Sequence, residues 1–474
     1  MIYKYLFLIL LFALNCKKSI SISMVTATSM SNGLPFLALE GNEWKAEENA
    51  QYVKFHIYPD EPFLLSRVEV NSCKKEFVDK IEVFINFDEV IRKLEFSGKK
   101  AFYDFPSPVT TRSVTFNFEK NQGVCLSSVK FFDEKKKELA LKTPRVVEGS
   151  ATASETSAPE SSYHVMNLFD SRYEYAYASK FGMKGVKIDF VFEKPQKIVA
   201  LKIWNGYQRS DVHCIDNGRV KSFLIKGENY QEKISLEDIM GSQTVQLPKV
   251  FEGKNLSLIV DEGFRGKNAK GFVISELRFF DGKEWFLINP YPKIQEIANT
   301  NTNKFSTVGL SEIMNKSISG QDLLYTGDET GGRDNSNWTF RFRSDGSMFL
   351  EGKTTRIDSI TSAEGIVVTH SEYRTIFGLG NYEIRNAESE KLELRIFGFL
   401  REMKTEDSTE EIYGDCNGCG RDCNKVYVPD SGTTEKIFQE FIEIEKNPEG
   451  GYIIKNKKKT QNLDFDALKM DFSI

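Results

Sequence analysis

The sequence has little net charge, few histidines and no long apolar segment beyond its N-terminus. Its 474 residues carry a formal charge of -5, with acidic and basic side chains interspersed. It therefore lacks the basic surface that nucleic-acid binding requires, and we expect no nucleic-acid partner. The hydrophobic fraction of 40% is ordinary for folded protein. A chain of this length is expected to form several domains.

Common catalytic signatures are also missing from the sequence. It has no Gly-x-Ser-x-Gly elbow, phosphate-binding loop or His-Glu-x-x-His motif, and its four histidines are scattered. Gly378-Leu379-Gly380 is an isolated fragment of a dinucleotide fingerprint, followed by strand-like sequence. We therefore expect a non-catalytic protein. The 68 acidic residues leave paired carboxylates, and hence a glycan-active hydrolase, open as an alternative.

The N-terminus has the pattern of an export signal. Lys4 precedes an apolar run over residues 5–14, which as a helix would rise only ~15 Å, about half of a bilayer's hydrocarbon core. Ala13-Leu14-Asn15-Cys16 resembles a bacterial lipoprotein cleavage box of the looser, spirochaetal kind. The resemblance implies cleavage after residue 15 and lipidation of Cys16, which would anchor the protein to an outer or inner membrane of the cell envelope. An ordinary signal peptide with a chance cysteine is the alternative. Residues 16–36 are interpreted as the lipidated cysteine and a flexible tether.

Two segments of the sequence repeat. Residues 44–70 align without a gap on residues 177–203, and residues 123–133 align on residues 271–281. Both copies are rich in short alternating strands, and this pattern predicts tandem β-sandwiches. We place the sandwiches at residues 37–143 and 144–290 and interpret the first as a degenerate copy of the second, kept for structure. The Ser-, Ala-, Glu- and Thr-rich residues 144–162 are predicted to form a short linker that enters the second sandwich.

The second copy resembles a discoidin (coagulation factor type C) domain, a galactose-binding-like fold. The motifs that carry this resemblance are Ser161-Ser162-Tyr163, Asn167-Leu168-Phe169-Asp170, Trp204-Asn205-Gly206-Tyr207-Gln208, Asn217-Gly218-Arg219-Val220-Lys221 and Ile274-Ser275-Glu276-Leu277-Arg278-Phe279-Phe280. Together they are similar to the type C domain of secreted NAD glycohydrolase toxins, and this similarity implies translocation and glycan binding. Ser171 and Tyr177 depart from the usual Gly and Trp of the family. The catalytic domain of those toxins is not matched, so no NAD cleavage is implied.

Carbohydrate binding needs an aromatic face for the sugar ring and fixed polar groups for its hydroxyls. The sequence offers both types of group within and near one loop, and we predict a glycan site formed by Trp204, Asn205, Tyr207, Gln208 and Arg219. Trp204 follows Ile203, so the alternation of the strand directs it away from the core face. The alternative is that Trp204 belongs to the core and that Asn205-Gly206 is a turn.

A structural calcium ion and a disulfide are further expectations. Asp170 and Glu276 resemble the positions at which related modules hold Ca²⁺, an ion that prefers carboxylate and carbonyl oxygens. Surface solvation of the two carboxylates is the alternative. Cys73 follows an early strand of the first sandwich and Cys125 begins its last, so we predict a disulfide between them in an exported protein.

The cysteines near the C-terminus form a cluster, Cys416, Cys419 and Cys423. A zinc site would need four ligands, and neither a second cysteine pair nor a histidine follows nearby. A disulfide-stapled loop is the preferred interpretation, with one cysteine left free or paired with Cys214.

The C-terminal third is predicted to be an all-β unit like the rest of the chain. Residues 291–320 are interpreted as a connector with a short helix, and residues 321–474 as an antiparallel meander with frequent turns. A meander of this many strands removes its free edges by closing on itself. Its Trp-x-Phe, Asp-Gly and Gly-x-Tyr pattern resembles lipocalin-like barrels. That resemblance implies a cavity and, as a further alternative function, the transport of a lipophilic ligand.

Overall fold

The computed structural model of the protein describes residues 18–27, 33–46, 52–73, 81–86, 88, 90–119, 124–172, 175–180, 182–268, 271–322, 333–361, 366–412, 424–457, 463, 465 and 467–472. These residues divide into two compact units, 1–292 and 293–474, and each unit is described by itself. The described residues are mostly β-strand, which confirms the predicted all-β class. None of the described helices combines the length and apolarity that crossing a membrane demands.

The first sandwich consists of a six-stranded and a five-stranded sheet. The strands are β1 (Ser19–Ala27), β2 (Trp44–Lys45), β3 (Tyr52–Pro59), β4 (Phe63–Ser72), β5 (Ile81–Ile85), β6 (Arg92–Lys93), β7 (Glu95–Ser97), β8 (Lys100–Thr111), β9 (Val114–Glu119), β10 (Cys125–Phe132) and β11 (Ala140–Lys142). Their order is β11-β1-β3-β9-β5-β6 in one sheet and β2-β10-β4-β8-β7 in the other. A 3-10 helix occupies Pro35–Leu39.

The predicted tether is wrong over much of its length. Ser19–Ala27 is a largely buried strand that pairs with β11 and with β3, and the following 3-10 helix also buries apolar side chains. The serine-rich composition suggested flexibility, but alternate positions are Ile20, Ile22 and Met24, and all three are buried. Burial of these side chains stabilises the strand more than its composition disfavours it.

The second sandwich is built from nine strands of one continuous sheet. They are β12 (Arg145–Val147), β13 (Gly149–Ala153), β14 (Tyr177–Ala178), β15 (Lys187–Asn205), β16 (Arg219–Gly227), β17 (Tyr230–Ser235), β18 (Ser242–Phe264), β19 (Val273–Phe280) and β20 (Trp285–Ile288). The order is β12-β20-β19-β15-β18-β16-β17, with β13 and β14 on β15 and β19. Two short helices, α1 (Glu160–Tyr163) and α2 (Asp211–Asp216), and a 3-10 helix (Val165–Phe169) fill the connections.

The predicted linker over residues 144–162 is also wrong, because it contains the first strands of this sandwich. β12 pairs in parallel with β20, and β13 pairs antiparallel with β15. Buried apolar residues of the two sandwiches form one continuous cluster, with phenylalanines such as Phe190, Phe192 and Phe279 packed edge to face. The two sandwiches therefore share one packed unit.

The C-terminal unit is a closed barrel preceded by helix α3 (Tyr291–Thr307) and a 3-10 helix (Ser311–Ile313). Its strands are β21 (Ser317–Asp322), β22 (Arg333–Phe342), β23 (Ser347–Thr361), β24 (Ile366–Glu388), β25 (Lys391–Ile412), β26 (Asn424–Lys446), β27 (Tyr452–Asn456) and β28 (Ala467–Phe472). Consecutive strands pair in order and β28 returns to β21, so the predicted closure of the meander is confirmed. The barrel begins at Ser317, slightly before the predicted boundary.

Candidate ligand surface on the second sandwich

Trp204 lies at the end of β15 and is buried. The alternation of the strand places Ile203 in the apolar cluster and leaves Trp204 outside that cluster. Trp204 is nevertheless only 3% exposed, and two cations lie near its ring, with Lys202 Nζ 5.9 Å and Arg278 Cζ 5.8 Å from its centroid. The prediction that Trp204 stacks on a sugar ring is therefore wrong for this structure. Its ring contributes to packing and to cation–π attraction.

The amides of Asn205 and Gln208 hold the loop that follows β15. Asn205 is fully buried, donates from Nδ2 to the Val220 carbonyl at 2.6 Å and accepts from the Val220 N–H at 2.9 Å. Gln208 donates to the Asn205 carbonyl at 2.7 Å and accepts from the Gly241 N–H at 2.9 Å. Buried amides need such partners. The assignment of these two residues to sugar hydroxyls is thus contradicted, and they shape the loop instead.

Gly206 and Tyr207 complete this loop. Gly206 has a φ of +85°, and a Cβ atom there would come within 2.9 Å of Arg219 Cγ, so only glycine fits without strain. The ring of Tyr207 packs edge to face on His213, with centroids 4.8 Å apart, and is buried beside Ala178. Tyr207 therefore offers no free face for stacking, which corrects the second predicted aromatic.

Arg219 connects two loops at this end of the sandwich. Its Nε donates to Asp238 Oδ1 at 2.5 Å, and its NH1 donates to the carbonyls of Cys214 and Asn217 at 2.7 and 2.8 Å. The hydrogen bond with Asp238 raises the pKa of Arg219. Its guanidinium is occupied by protein partners, so its predicted role as a sugar ligand is replaced by a positioning role. It fixes the end of α2 against the turn between β17 and β18.

Three loops meet around these residues, and we call their exposed side the loop-end surface. It comprises residues 205–217, 236–241 and 265–268. The third loop joins the first through hydrogen bonds from Lys267 N to the Ile215 carbonyl, 3.0 Å, and from Asn268 N to the Asp216 carbonyl, 3.1 Å. The exposed side chains of the surface are Asp211, Ile215, Glu237, Asp238, Ile239, Met240, Arg265, Lys267 and Asn268.

The exposed apolar side chains were missed by the sequence analysis. Ile215 is 59% exposed, and Ile239 and Met240 are both more than 40% exposed. The signal was an isolated apolar pair, Ile239-Met240, placed between Asp238 and Gly241 in an otherwise polar turn. Loops carry function more often than the scaffold that positions them, so exposed apolar residues on adjacent loops mark a candidate contact surface.

The proposed calcium ligands belong to a buried hydrogen-bonded network. The Arg172 N–H donates to Asp170 Oδ1 and to Glu276 Oε1, both at 2.9 Å, and Arg278 donates to Glu276 Oε2 at 2.8 Å. Both oxygens of Glu276 thus accept from protein donors. Burial raises the pKa of the Glu276 carboxyl above its usual range, although the Arg278 guanidinium opposes this shift. The residues do not fit a Ca²⁺ site, because the cation position is taken by Arg278.

The cysteines that the structure describes are Cys73, Cys125 and Cys214. A disulfide joins Cys73 to Cys125, as predicted, and Cys214 is a buried free thiol. Among the described residues, the one cluster with metal-ligating side chains is Glu43 with these two bonded cysteines, and their disulfide leaves no thiolate for a metal. Cys16 and the Cys416, Cys419 and Cys423 cluster lie outside the described residues, so lipidation and the cluster stay predictions.

Solved structures similar to this chain include carbohydrate-binding proteins. One is the pair of CBM32-1 and CBM32-2 domains from Clostridium perfringens ZmpB, with 9% identity, 54% of this chain and 92% of that chain covered, and a TM-score of 0.22. A fucolectin from striped bass (Morone saxatilis) serum has 14% identity, coverages of 53% and 94%, and a TM-score of 0.21. The family 32 CBM of C. perfringens NanJ in complex with galactose has 12% identity, coverages of 28% and 92%, and a TM-score of 0.23.

Comparison with curated proteins gives no match. Residues 139–280 match the family described as the NAD glycohydrolase translocation F5/8 type C domain. This segment begins just before β11 and ends with β19, and therefore spans nearly the whole second sandwich. The second sandwich is a discoidin-like domain of this F5/8 type C family.

Proposed function

We propose that the chain is a lipid-anchored protein of the cell envelope that binds carbohydrate through the loop-end surface and catalyses no reaction. The observation that carries the proposal is the match of residues 139–280 to the F5/8 type C domain, because the resemblance to this family implies glycan binding. Within that domain, the loop-end surface is where three loops expose side chains of the types that contact sugars.

The chemistry of the loop-end surface suits a sugar ring. Ile215, Ile239 and Met240 present aliphatic groups that can cover the C–H side of a ring. Lys267 and Asn268, which are exposed on the neighbouring loop, supply donors and an acceptor for hydroxyls. Because Arg219 and Gln208 hold the loops by hydrogen bonds, little ordering entropy is lost when a ligand binds.

A glycan array probed with the full chain tests this function. The test variant combines Ile239→Asp with Met240→Asp, and the matched control is Val250→Asp, because Val250 is a similarly exposed apolar residue within β18. The paired variant should bind at least about tenfold more weakly, since it loses two apolar contacts and gains two charges. Equal binding by both variants, or no bound glycan, would refute the proposal.

The anchor is tested separately from the glycan site. Cys16 ends the apolar signal run, and its replacement, Cys16→Ala, should shift the protein from the detergent phase to the soluble fraction. Mass spectrometry of the N-terminal peptide of the parent should find the added acyl chains. A variant that stays in the detergent phase would contradict the lipoprotein interpretation and leave an ordinary signal peptide.

The lipophilic-carrier alternative is less well supported, because side chains pack the interior of the barrel. Trp338 packs on Phe340 and Phe465 with ring centroids 6.3 and 5.3 Å apart, and a buried apolar cluster continues through the described barrel strands. A hydrolase would need two carboxylates facing one open site. The most deeply buried carboxylate of the candidate domain, Glu276, is paired with Arg278 instead.

A further inference from the structure

A cavity lies at the junction of the two sandwiches, within the N-terminal unit. Its volume is about 550 Å³, within the range of small-molecule sites. The first sandwich contributes the start of β1, the β3–β4 turn and the end of β11, and the second contributes parts of β15, β18 and β19 with the turn before β20. We call this cavity the junction cleft. It is distinct from the loop-end surface, because no residue of the three loops lines it.

A half-buried carboxylate in the wall of the junction cleft, that of Asp60, joins the two sandwiches. Asp60 accepts a hydrogen bond from Ser21 Oγ at 2.7 Å, from Lys202 Nζ at 2.6 Å and from the indole N–H of Trp285. Lys202 is only 8% exposed in its side chain, so this ion pair is largely shielded from water. Both oxygens of Asp60 thus accept hydrogen bonds, from one residue of the first sandwich and two of the second.

Aromatic and apolar groups line part of the cleft. Phe280 and Trp285 pack together with centroids 4.8 Å apart and an interplanar angle of 38°, and Pro62 and Phe63 come from the other sandwich. Thr244 adds an exposed hydroxyl next to them. A mixture of aromatic surface and hydroxyl groups suits a ligand with both C–H and O–H faces, as a sugar has.

The charges around the cleft favour an anion. Lys18, Lys142 and Lys283 are exposed, and none of the three has a carboxylate partner among the described residues. Of the acidic lining residues, Asp60 pairs with Lys202, and Glu284 contacts Arg145 at 2.7 Å, a guanidinium that it shares with Asp281 at 3.4 Å. Glu61 is the remaining acid. The lining as a whole carries four lysines against three carboxylates, an excess of one positive charge that favours an anion at the opening.

We propose that the junction cleft binds an anionic saccharide, meaning a sugar ring or disaccharide that carries a carboxylate or a sulfate. The ring packs on the Phe280 and Trp285 side, and the acidic group faces the lysines at the opening. This site goes beyond the proposed function, because it is a second site on a different surface and needs both sandwiches. It gives the first sandwich, of which the F5/8 type C match covers only β11, a direct share in ligand binding.

Calorimetric titration of the full chain tests the cleft with three probes: a glucuronate-containing disaccharide, a sulfated disaccharide and neutral lactose. Either acidic probe should bind more tightly than lactose. Lys142→Glu combined with Lys283→Glu should weaken that binding by about tenfold, because two exposed charge contacts are reversed. The matched control is Lys226→Glu, an exposed lysine on β16 outside the cleft, and it should bind like the parent.

A second variant leaves the lysines of the cleft unchanged and fills the cavity between the sandwiches. Thr244→Trp places a large side chain in the cleft from an exposed strand position and should abolish binding of the acidic probe. The proposal is overturned if no acidic probe binds, if lactose binds as well as the acidic probes, or if binding survives both cleft variants. Ile239→Asp with Met240→Asp separates the two sites. This variant should bind the acidic probe like the parent. A loss of that binding would show that the acidic probe binds at the loop-end surface, and it would refute the cleft proposal without refuting the proposed function.

Discussion

The two sandwiches share the arrangement at the end of one strand, β4 in the first and β15 in the second. They differ in what stabilises the chain just after that strand. When the repeat is continued, Cys73 falls on Gly206 and Cys125 falls on Val273. The backbone hydrogen bond is the same in both copies, from Cys73 N to the Cys125 carbonyl at 3.3 Å and from Gly206 N to the Val273 carbonyl at 2.9 Å. In the first copy a disulfide reinforces this bond. In the second, a glycine with positive φ turns the chain into the loop that carries Tyr207 and Gln208.

The irregularity in strand pairing just before this end is also shared. The register of β10 with β4 shifts between Leu126 and Ser128, and that of β15 with β19 shifts between Trp204 and Asn205. The repeat places these shifts at the same position. One backbone therefore supports two chemistries: a covalent cross-link in the first sandwich and a hydrogen-bonded loop in the second. The loop-end surface lies in the copy whose strand end is not cross-linked.

The largest expected effect on stability comes from truncating the side chain that lies at the register shift. Trp204→Ala should destabilise the second sandwich by about 3–5 kcal/mol, because it empties a buried aromatic site. The equivalent Asn71→Ala should cost about 1 kcal/mol, since Asn71 is half-buried and loses mainly its 2.8 Å hydrogen bond to Ser128. Denaturant unfolding of both variants measures the difference. Similar losses, or a normal melting temperature for Trp204→Ala, would mean that Trp204 is accessible as the sequence alone suggested.

A smaller loss of stability is expected when the disulfide of the first sandwich is removed. The disulfide closes a sequence separation of 52 residues, and Cys73→Ser with Cys125→Ser should destabilise the first sandwich by about 2–4 kcal/mol. Hydrogen exchange resolved by peptide should show the loss in the first sandwich and leave β16–β18 of the second unchanged. Cys214→Ser is the control, because that thiol is buried and unbonded. A loss spread equally over both sandwiches would argue that they unfold as one unit.

Low pH should destabilise the second sandwich, because His213 is buried beside its hydrogen-bonded loop. Burial lowers the pKa of His213 to about 3, and Arg209 adds to this. The unfolded chain, with a histidine pKa near 6.5, binds the proton more readily than the folded chain. The contribution of neutral His213 to the free energy of unfolding is therefore complete above pH 6.5 and is lost as the pH falls toward 3. Urea unfolding at a series of pH values should show a shallower acid slope for His213→Gln than for the parent. His56 gives the first sandwich a slope of the same sign, and the difference between variant and parent isolates His213.

The repeat was readable from the sequence because its paired positions keep their alternation and prolines. The structure pairs Trp44 with Leu126 and Tyr177 with Ile274, which are equivalent positions in the two copies. The tether and the linker were misread for one shared reason. Ala27 pairs with Phe55 and Ala153 pairs with Ile188, again at equivalent positions, so both segments are the first strand of a sandwich. Their small polar residues suggest loops, and only partners distant in sequence make them strands.

The candidate site was predictable in its location but not in its exposed residues. Alternation correctly directed Trp204 away from the apolar cluster. The ring is nevertheless buried, and one of the two cations near it, Arg278, comes from a strand more than 70 positions away in sequence. In the same way, Asn205 and Gln208 have the composition of sugar ligands, yet their partners are backbone groups that fold back onto the loop. The loop was therefore predictable from the sequence, whereas tertiary contacts determine which of its side chains face solvent.

The smallest expected effect concerns the ion pair that joins two loops of the loop-end surface. Asp238→Asn removes the charge that Arg219 contacts at 2.5 Å, but the Asp238 side chain is 41% exposed, so the loss of global stability should be below about 1 kcal/mol. Hydrogen exchange in residues 236–241 should nevertheless become faster, because this contact holds the turn against α2. Asp261→Asn is the matched control: its carboxylate pairs with Lys233 at 2.6 Å, outside the three loops, and its loss should leave exchange in residues 236–241 unchanged. If both variants loosen the turn equally, or neither does, Arg219 does not set the loop geometry. If Asp238→Asn loosens the turn and weakens glycan binding at unchanged melting temperature, the second sandwich holds its binding surface by an exchangeable ion pair at the end that the first sandwich closes covalently.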